Sequence, residues 1–273
     1  AFLEAQEQFD PQNMPDPAKS KSVGDWSGFA AKLLLQKDHL SQVADITRGQ
    51  IKKLNSGGIF TMQALAEFSG STLPGLPGLP TETLAKLVAQ AAIQKRSAGQ
   101  QIPEFEILPP QENSKMGLAL LPPHSPLDVF FDIEGYPLDD GGLEYLWGNC
   151  YFEANGERQF IDFWAHNREQ EKQCFIDFIG WVYKRWQQDP TMHIYHYANY
   201  EIAACRKLMG RYGVCEYEVD QLLRNEVFVD LYKVVKGGLL LGEPRYSIKN
   251  VEHLYRGKRD TAVGNGSESV AVY

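Results

Sequence analysis

The chain has 273 residues, 43% of them hydrophobic and 23% charged, with a formal net charge of −8. That composition is ordinary for a soluble globular protein and leaves room for one large domain or two small ones. An acidic balance also argues against a general nucleic-acid coat protein, which would be basic throughout.

The start, Ala1-Phe2-Leu3-Glu4-Ala5-Gln6, lacks the basic-then-apolar order of a secretory signal, and no apolar run reaches the length of a membrane span. Cys150, Cys174, Cys205 and Cys215 form no CxxC pair. They read as reduced, mostly buried thiols of a cytoplasmic protein, with no zinc or iron–sulfur site. Residues 1–37 hold a Pro-containing polar stretch and a short apolar run around Phe29–Leu35. They are expected to be a linker or the tail of an upstream domain.

Residues 38–97 are expected to be helical. Leu40, Val43 and Ile46 recur every three residues. Thr47 can cap a helix that carries Ile51 and Leu54 and stops at Gly57-Gly58. Thr61 can cap a second helix through Met62, Leu65, Ala66 and Phe68. A third begins after Pro80 and Thr81, with Leu84, Leu87, Val88 and Ala91 inward. The repeat Leu73-Pro74-Gly75-Leu76-Pro77-Gly78-Leu79-Pro80 is too proline-rich for a helix and reads as an extended connector. Residues 98–125 form a Pro-containing linker with one short strand expected near Phe105–Leu108.

Residues 126–273 have the pattern of an α/β domain. Leu127–Ile133 is a nearly continuous apolar strand ending in acids. Glu144–Glu153 and Arg158–Phe163 are strands of a hairpin turning at Asn155-Gly156. Arg168–Gln187 is an amphipathic helix, Met192–Tyr197 a strand and Tyr200–Tyr212 a helix. Glu218–Val235 is expected to be mostly helical, and Ser247–Tyr255 to begin another helix. The order β-β-β-α-β-α-α predicts an RNase H-like mixed sheet, an antiparallel meander plus a parallel strand, with flanking helices.

The chemistry concentrates in Val129-Phe130-Phe131-Asp132-Ile133-Glu134-Gly135. Residues two apart on a strand share a face, so Asp132 and Glu134 project together from an apolar strand. Two like charges there are unfavourable unless a cation lies between them. A two-metal phosphodiester hydrolase needs such a cluster. A solvated strand end also places acids there, and Asp-x-Glu alone does not separate the two. A second segment, Ile194-Tyr195-His196-Tyr197-Ala198-Asn199-Tyr200-Glu201, runs from a strand into a helix start.

These segments resemble those of DEDD exonucleases, named for four acids in three motifs. His196, Tyr200 and Glu201 match the His, aromatic and acid of the second motif, with Glu201 one methylene longer than the usual Asp. Together with Phe163-Trp164-Ala165-His166, Phe228-Val229-Asp230-Leu231-Tyr232 and Tyr246-Ser247-Ile248-Lys249, they resemble bacterial RecB-like nucleases that end in a YprB-type RNase H-like domain. The resemblance covers residues from about 38 to 273. It implies a 3′–5′ exonuclease acting on DNA, or else RNA, through Mg²⁺ or Mn²⁺ held by Asp132, Glu134 and Glu201. It also implies Asp230 behind the site, and a final acid beyond Tyr273 that this chain is expected to lack. The implied partners are a RecB-type nuclease domain upstream and, in some members, a helicase.

Gln50-Ile51-Lys52-Lys53-Leu54-Asn55-Ser56-Gly57-Gly58-Ile59-Phe60-Thr61 resembles a helix-hairpin-helix module, but Ala44-Asp45-Ile46-Thr47 replaces its glycine-rich hairpin. DNA binding and a structural spacer remain equally open for this all-α segment. The expected nucleic-acid contacts are Lys52, Lys53, His196, Tyr200 and Lys249. The rival reading of the whole chain is a non-catalytic nucleic-acid-binding scaffold.

Overall fold

The computed structural model describes residues 16–19, 23–68, 76–110, 115–153 and 155–256. The expected final acid and most of the first Pro-containing stretch lie outside them. Contacts divide the chain into two compact units, residues 1–105 with 240–246, and residues 106–239 with 247–273.

The first unit is built from α1 (Ser27–Gln36), α2 (Arg48–Ser56), α3 (Met62–Ala66) and α4 (Thr81–Ser97). The run Phe29–Leu35 therefore lies within a helix. Leu40–Gln42 forms only a single 3-10 turn, shorter than the three-residue spacing predicts. Thr47 caps α2 in a reciprocal capping box: its hydroxyl accepts from the Gln50 N–H at 3.2 Å, and Gln50 Oε1 accepts from the Thr47 N–H at 2.7 Å. Removing the hydroxyl with Thr47→Ala leaves first-turn donors unsatisfied. The expected loss is about 1 kcal/mol of unfolding free energy in urea titration, and an unchanged midpoint would rule the cap out as a determinant. The stop after α2 uses Gly58, whose φ of +83° is open to glycine without steric cost. Thr61 caps α3 by accepting from Ala64 N–H at 3.1 Å.

Leu40, Leu54, Leu65, Leu84 and Ala91 are fully buried in the core of this unit. The buried Gln94 ties the chain before α2 to α4. Its Oε1 accepts from Ala44 N–H and its Nε2 donates to Gln42 O, both at 2.9 Å. Asp45, one residue on, takes a left-handed φ of +60° where a hairpin module would carry glycine.

The second unit contains a five-stranded sheet of β2 (Val129–Tyr136), β3 (Leu143–Phe152), β4 (Arg158–Trp164), β5 (Ile194–His196) and β6 (Phe228–Asp230), in the order β4-β3-β2-β5-β6. Two further short strands, β1 (Phe105–Ile107) and β7 (Leu239–Leu241), lie outside this sheet. β2–β3 and β3–β4 are antiparallel, while β2–β5 and β5–β6 are parallel. The helices are α5 (Arg168–Gln188), α6 (Tyr200–Tyr212), α7 (Glu216–Arg224), α8 (Leu231–Gly238) and α9 (Ile248–Val251).

Strand β6 departs from the sequence reading. The stretch expected to be mostly helical from 218 to 235 is interrupted by β6, which adds a second parallel pairing. Three residues carry too little periodicity to distinguish a strand from a helix, and only pairing with β5 decides between them.

β2 alternates as its period of two demands. Val129, Phe131 and Ile133 are buried, whereas Phe130 and Asp132 face out. The buried side packs on α5: Phe131 stacks on Phe178 with centroids 4.3 Å apart, and Trp147 lies 5.1 Å from the same ring. Each such aromatic contributes roughly 2–3 kcal/mol by leaving water. The result is a central strand packed on one face, whose opposite face carries the two motif acids.

Candidate active site

A register shift between Glu134 and Gly135 ends the regular β2–β3 pairing and turns the strand end. Beside it, the β5–α6 connection passes through Ala198 at a left-handed φ of +69°. Asp230 stabilises that conformation. One carboxylate oxygen accepts from Ala198 N–H at 2.9 Å and from Tyr232 N–H at 3.0 Å, so the same group caps α8. An L-residue at positive φ costs roughly 1–2 kcal/mol. The connection delivers Glu201 into the first turn of α6, where it is buried.

Glu201 lies close enough to Asp132 to oppose its ionisation. Asp132 keeps one side open to solvent yet sits deep among protein atoms. Desolvation, then the charge of Glu201, then that of Glu134 push its carboxyl up to about 6. Partial burial also raises Glu134, against the nearby Lys249 cation, which lowers it. Glu201 Oε2 is buried without a hydrogen-bond partner, and His196 Nδ1 lies 3.4 Å from it.

A raised carboxyl holds its proton more tightly when folded, so the folded state binds more protons than the unfolded one between about pH 4 and pH 6. The stability that protonated Asp132 permits is therefore present below pH 4 and lost as pH rises through 6. In metal-free buffer, Asp132→Asn is expected to gain melting temperature over the wild type progressively across that window and to keep a constant gain above it. A pH-independent difference would contradict the coupling.

A cleft of about 880 Å³ adjoins the acids and is lined by Glu134, Gly135, Glu144, Tyr200, Lys207 and Lys249, among others. Three expected residues, Glu134, Tyr200 and Lys249, thus share one cleft. His196 behaves differently: it is buried, with no hydrogen bond to either ring nitrogen, so its ring is not presented to a strand in solvent. Lys52 and Lys53 are exposed on α2 in the other unit, and the Lys53 ammonium donates to the carbonyl of Gly78. Among the described residues, no three His, Cys, Asp or Glu side chains converge so as to hold a metal ion.

Sequence reading missed two carboxylates. Glu144 is buried at the start of β3, opposite Gly135, and accepts from Tyr200 Oη at 2.6 Å and Lys207 Nζ at 3.0 Å. Glu171, fully buried in α5, accepts from Glu144 N–H at 2.6 Å, from Arg211 at 3.0 Å, from Arg168 at 3.3 Å and from the Tyr212 hydroxyl. Arg168 and Arg211 also grip carbonyls of the β2–β3 turn at residues 140–142. Each acid lies in a strand or helix whose neighbours are far away in sequence, so only the register of β2 with β3 would have flagged Glu144.

No curated protein and no solved structure matches the chain. A family profile described as RNase H superfamily matches residues 129–273, more than half of the chain and the whole five-stranded sheet. With its central strand bearing Asp132 and Glu134 and its mixed sheet in the order β4-β3-β2-β5-β6, the chain belongs to the RNase H superfamily.

Proposed function

We propose that this chain is a divalent-metal-dependent nuclease, a 3′–5′ exonuclease on DNA, with Asp132, Glu134 and Glu201 as the acids that hold Mg²⁺ or Mn²⁺. The observation that carries this reading is the close pair Asp132 and Glu201, two carboxylates in mutual repulsion, one with a buried oxygen that no donor satisfies. A cation fits such a pair, since hard divalent ions take carboxylate oxygens and relieve the repulsion. The reaction is attack of a water oxygen on the phosphorus of the terminal phosphodiester, with cleavage of the bond to the 3′ oxygen of the shortened strand. Bound metal supplies the polarisation of the phosphoryl oxygens and of the water.

The chain's own groups then orient the strand. Lys249 sets a cation beside Glu134 in the cleft, where it can meet a phosphate oxygen, and Tyr200 walls the same cleft. Asp230 maintains the backbone that aims Glu201. Exposed Lys52 is the cation of the helix-hairpin-helix-like segment best free to meet backbone phosphate. The wider assignment, to repair or recombination beside a RecB-type nuclease domain and a helicase, rests on the resemblance of the quoted motifs.

A non-catalytic nucleic-acid scaffold is the second reading. It is favoured by the failure of three metal-binding side chains to converge among the described residues. Mn²⁺ titration by calorimetry separates the two, together with hydrolysis of single-stranded and duplex DNA and of RNA. The enzyme reading expects Mn²⁺ binding that Asp132→Asn weakens at least tenfold, and Mn²⁺-dependent release of nucleotides from the 3′ end. Oligonucleotide binding without either metal binding or hydrolysis establishes the scaffold.

A further inference from the structure

Tyr200 is half exposed at 50%, its ring facing the cleft beside Glu134, yet its hydroxyl is anchored. It donates to Glu144 Oε2 at 2.6 Å, and the other oxygen of that carboxylate accepts from Lys207 Nζ at 3.0 Å. Glu144 itself is only 3% exposed, and its backbone N–H is held by Glu171. Burying a carboxylate costs several kcal/mol unless it is paired and hydrogen-bonded, and apolar residues would join β3 to α6 at less cost. The backbone leaves room for this linkage. A Cβ on Gly135 would lie 2.6 Å from Glu144 Oε2 and closer still to the Tyr200 hydroxyl, so any larger residue there would push the pair from its present position.

A half-exposed aromatic ring anchored through its hydroxyl can offer a face for stacking, and such faces accept any nucleobase. We propose that Glu144, backed by Lys207, is a positioning residue: it sets the Tyr200 ring as the wall on which the terminal base of a bound strand stacks beside Glu134. This rests on the nuclease reading above and extends it to the group that seats the strand end. Glu144 touches no reacting atom. Its effect passes through Tyr200 and therefore appears in strand binding.

The test uses the full chain and a single-stranded DNA dodecamer carrying 2-aminopurine at its 3′ end, with Ca²⁺ in place of Mn²⁺. Stacking quenches the probe. Tyr200→Phe and Glu144→Ala are each expected to raise the dissociation constant roughly fivefold and to abolish most of the quenching, while Lys207→Met gives a smaller effect in the same direction. The decisive measurement is the double variant. If one removes what the other positions, Tyr200→Phe with Glu144→Ala binds within twofold of either single variant.

Full additivity, unchanged quenching in both single variants, or no quenching by the wild-type chain overturns the proposal. If Glu144→Ala does not fold, Tyr200→Phe and Lys207→Met, which leave the Glu144 side chain in place, carry the same comparison. A purely structural tie between β3 and α6 lowers the melting temperature and leaves the quenching of folded protein intact, which also overturns it. Failure of the nuclease reading shows separately, as oligonucleotide binding by the wild-type chain with neither Mn²⁺ binding nor Mn²⁺-dependent hydrolysis.

Discussion

Glu201→Gln is expected to lower Mn²⁺-dependent hydrolysis by roughly a thousandfold while making the metal-free chain more stable. The substitution keeps the shape of the side chain and removes its charge. In the proposed reaction that charge holds a cation, and losing one preorganised electrostatic group in a shielded site costs roughly 10²–10³ in rate. In the metal-free protein the same charge works against folding. Glu201 is buried, its Oε2 lacks a donor, and it opposes the ionisation of Asp132. Neutralising it relieves both desolvation and repulsion, a gain of about 1 kcal/mol of the kind found where function has been retained at the expense of stability. Initial rates and urea unfolding of the same preparation check the two signs together. Loss of activity accompanied by loss of stability would assign Glu201 to the scaffold and remove it from the site.

Glu171→Ala is expected to be among the most damaging single changes in the second unit, at about 3–5 kcal/mol. Its carboxylate is fully buried and receives four donors from three directions: the Glu144 backbone, Tyr212, Arg168 and Arg211. Truncation leaves these donors without their acceptor and opens a void at the junction of β3, α5 and α6. The two arginines also grip the turn at residues 140–142, which lines the cleft, so the turn loosens with the core. Glu171→Gln keeps an acceptor and the volume and is expected to recover about half of the loss. Urea midpoints of both variants test this. A Glu171→Ala midpoint within 1 kcal/mol of the wild type would show that the arginines find equivalent partners in solvent.

The legible part of this protein is the part written in local patterns. The alternation of Val129, Phe131 and Ile133 with Asp132 and Glu134 reports which face of β2 is buried, because strand side chains alternate whatever the rest of the fold does. The caps at Thr47 and Thr61 and the span Tyr200–Tyr212 follow from hydrogen bonds within three or four residues. The pair Asp132 and Glu134 could be named for the same reason. Strand β6 could not, since three residues fold as a strand only when β5 offers them a ladder.

The candidate site shows the same division. That Glu201 reaches Asp132, that Asp230 holds the backbone of Ala198, and that His196 is buried are consequences of where β5, α6 and β6 converge. Glu144 and Glu171 had no signature at all: an acid in a strand or a helix is ordinarily solvated, and nothing adjacent in the chain marks these two as buried. Four of their donors, Tyr200, Lys207, Arg211 and Tyr212, come from α6, 40 to 63 residues along the chain from the acid each one meets, and only packing of that helix against β3 and α5 brings them within hydrogen-bonding distance. Residue types and periods decide which faces are apolar and where elements start. The tertiary fold decides which charges must share a dielectric cavity, because electrostatic partners are chosen by distance in space, and sequence separation carries no information about that distance.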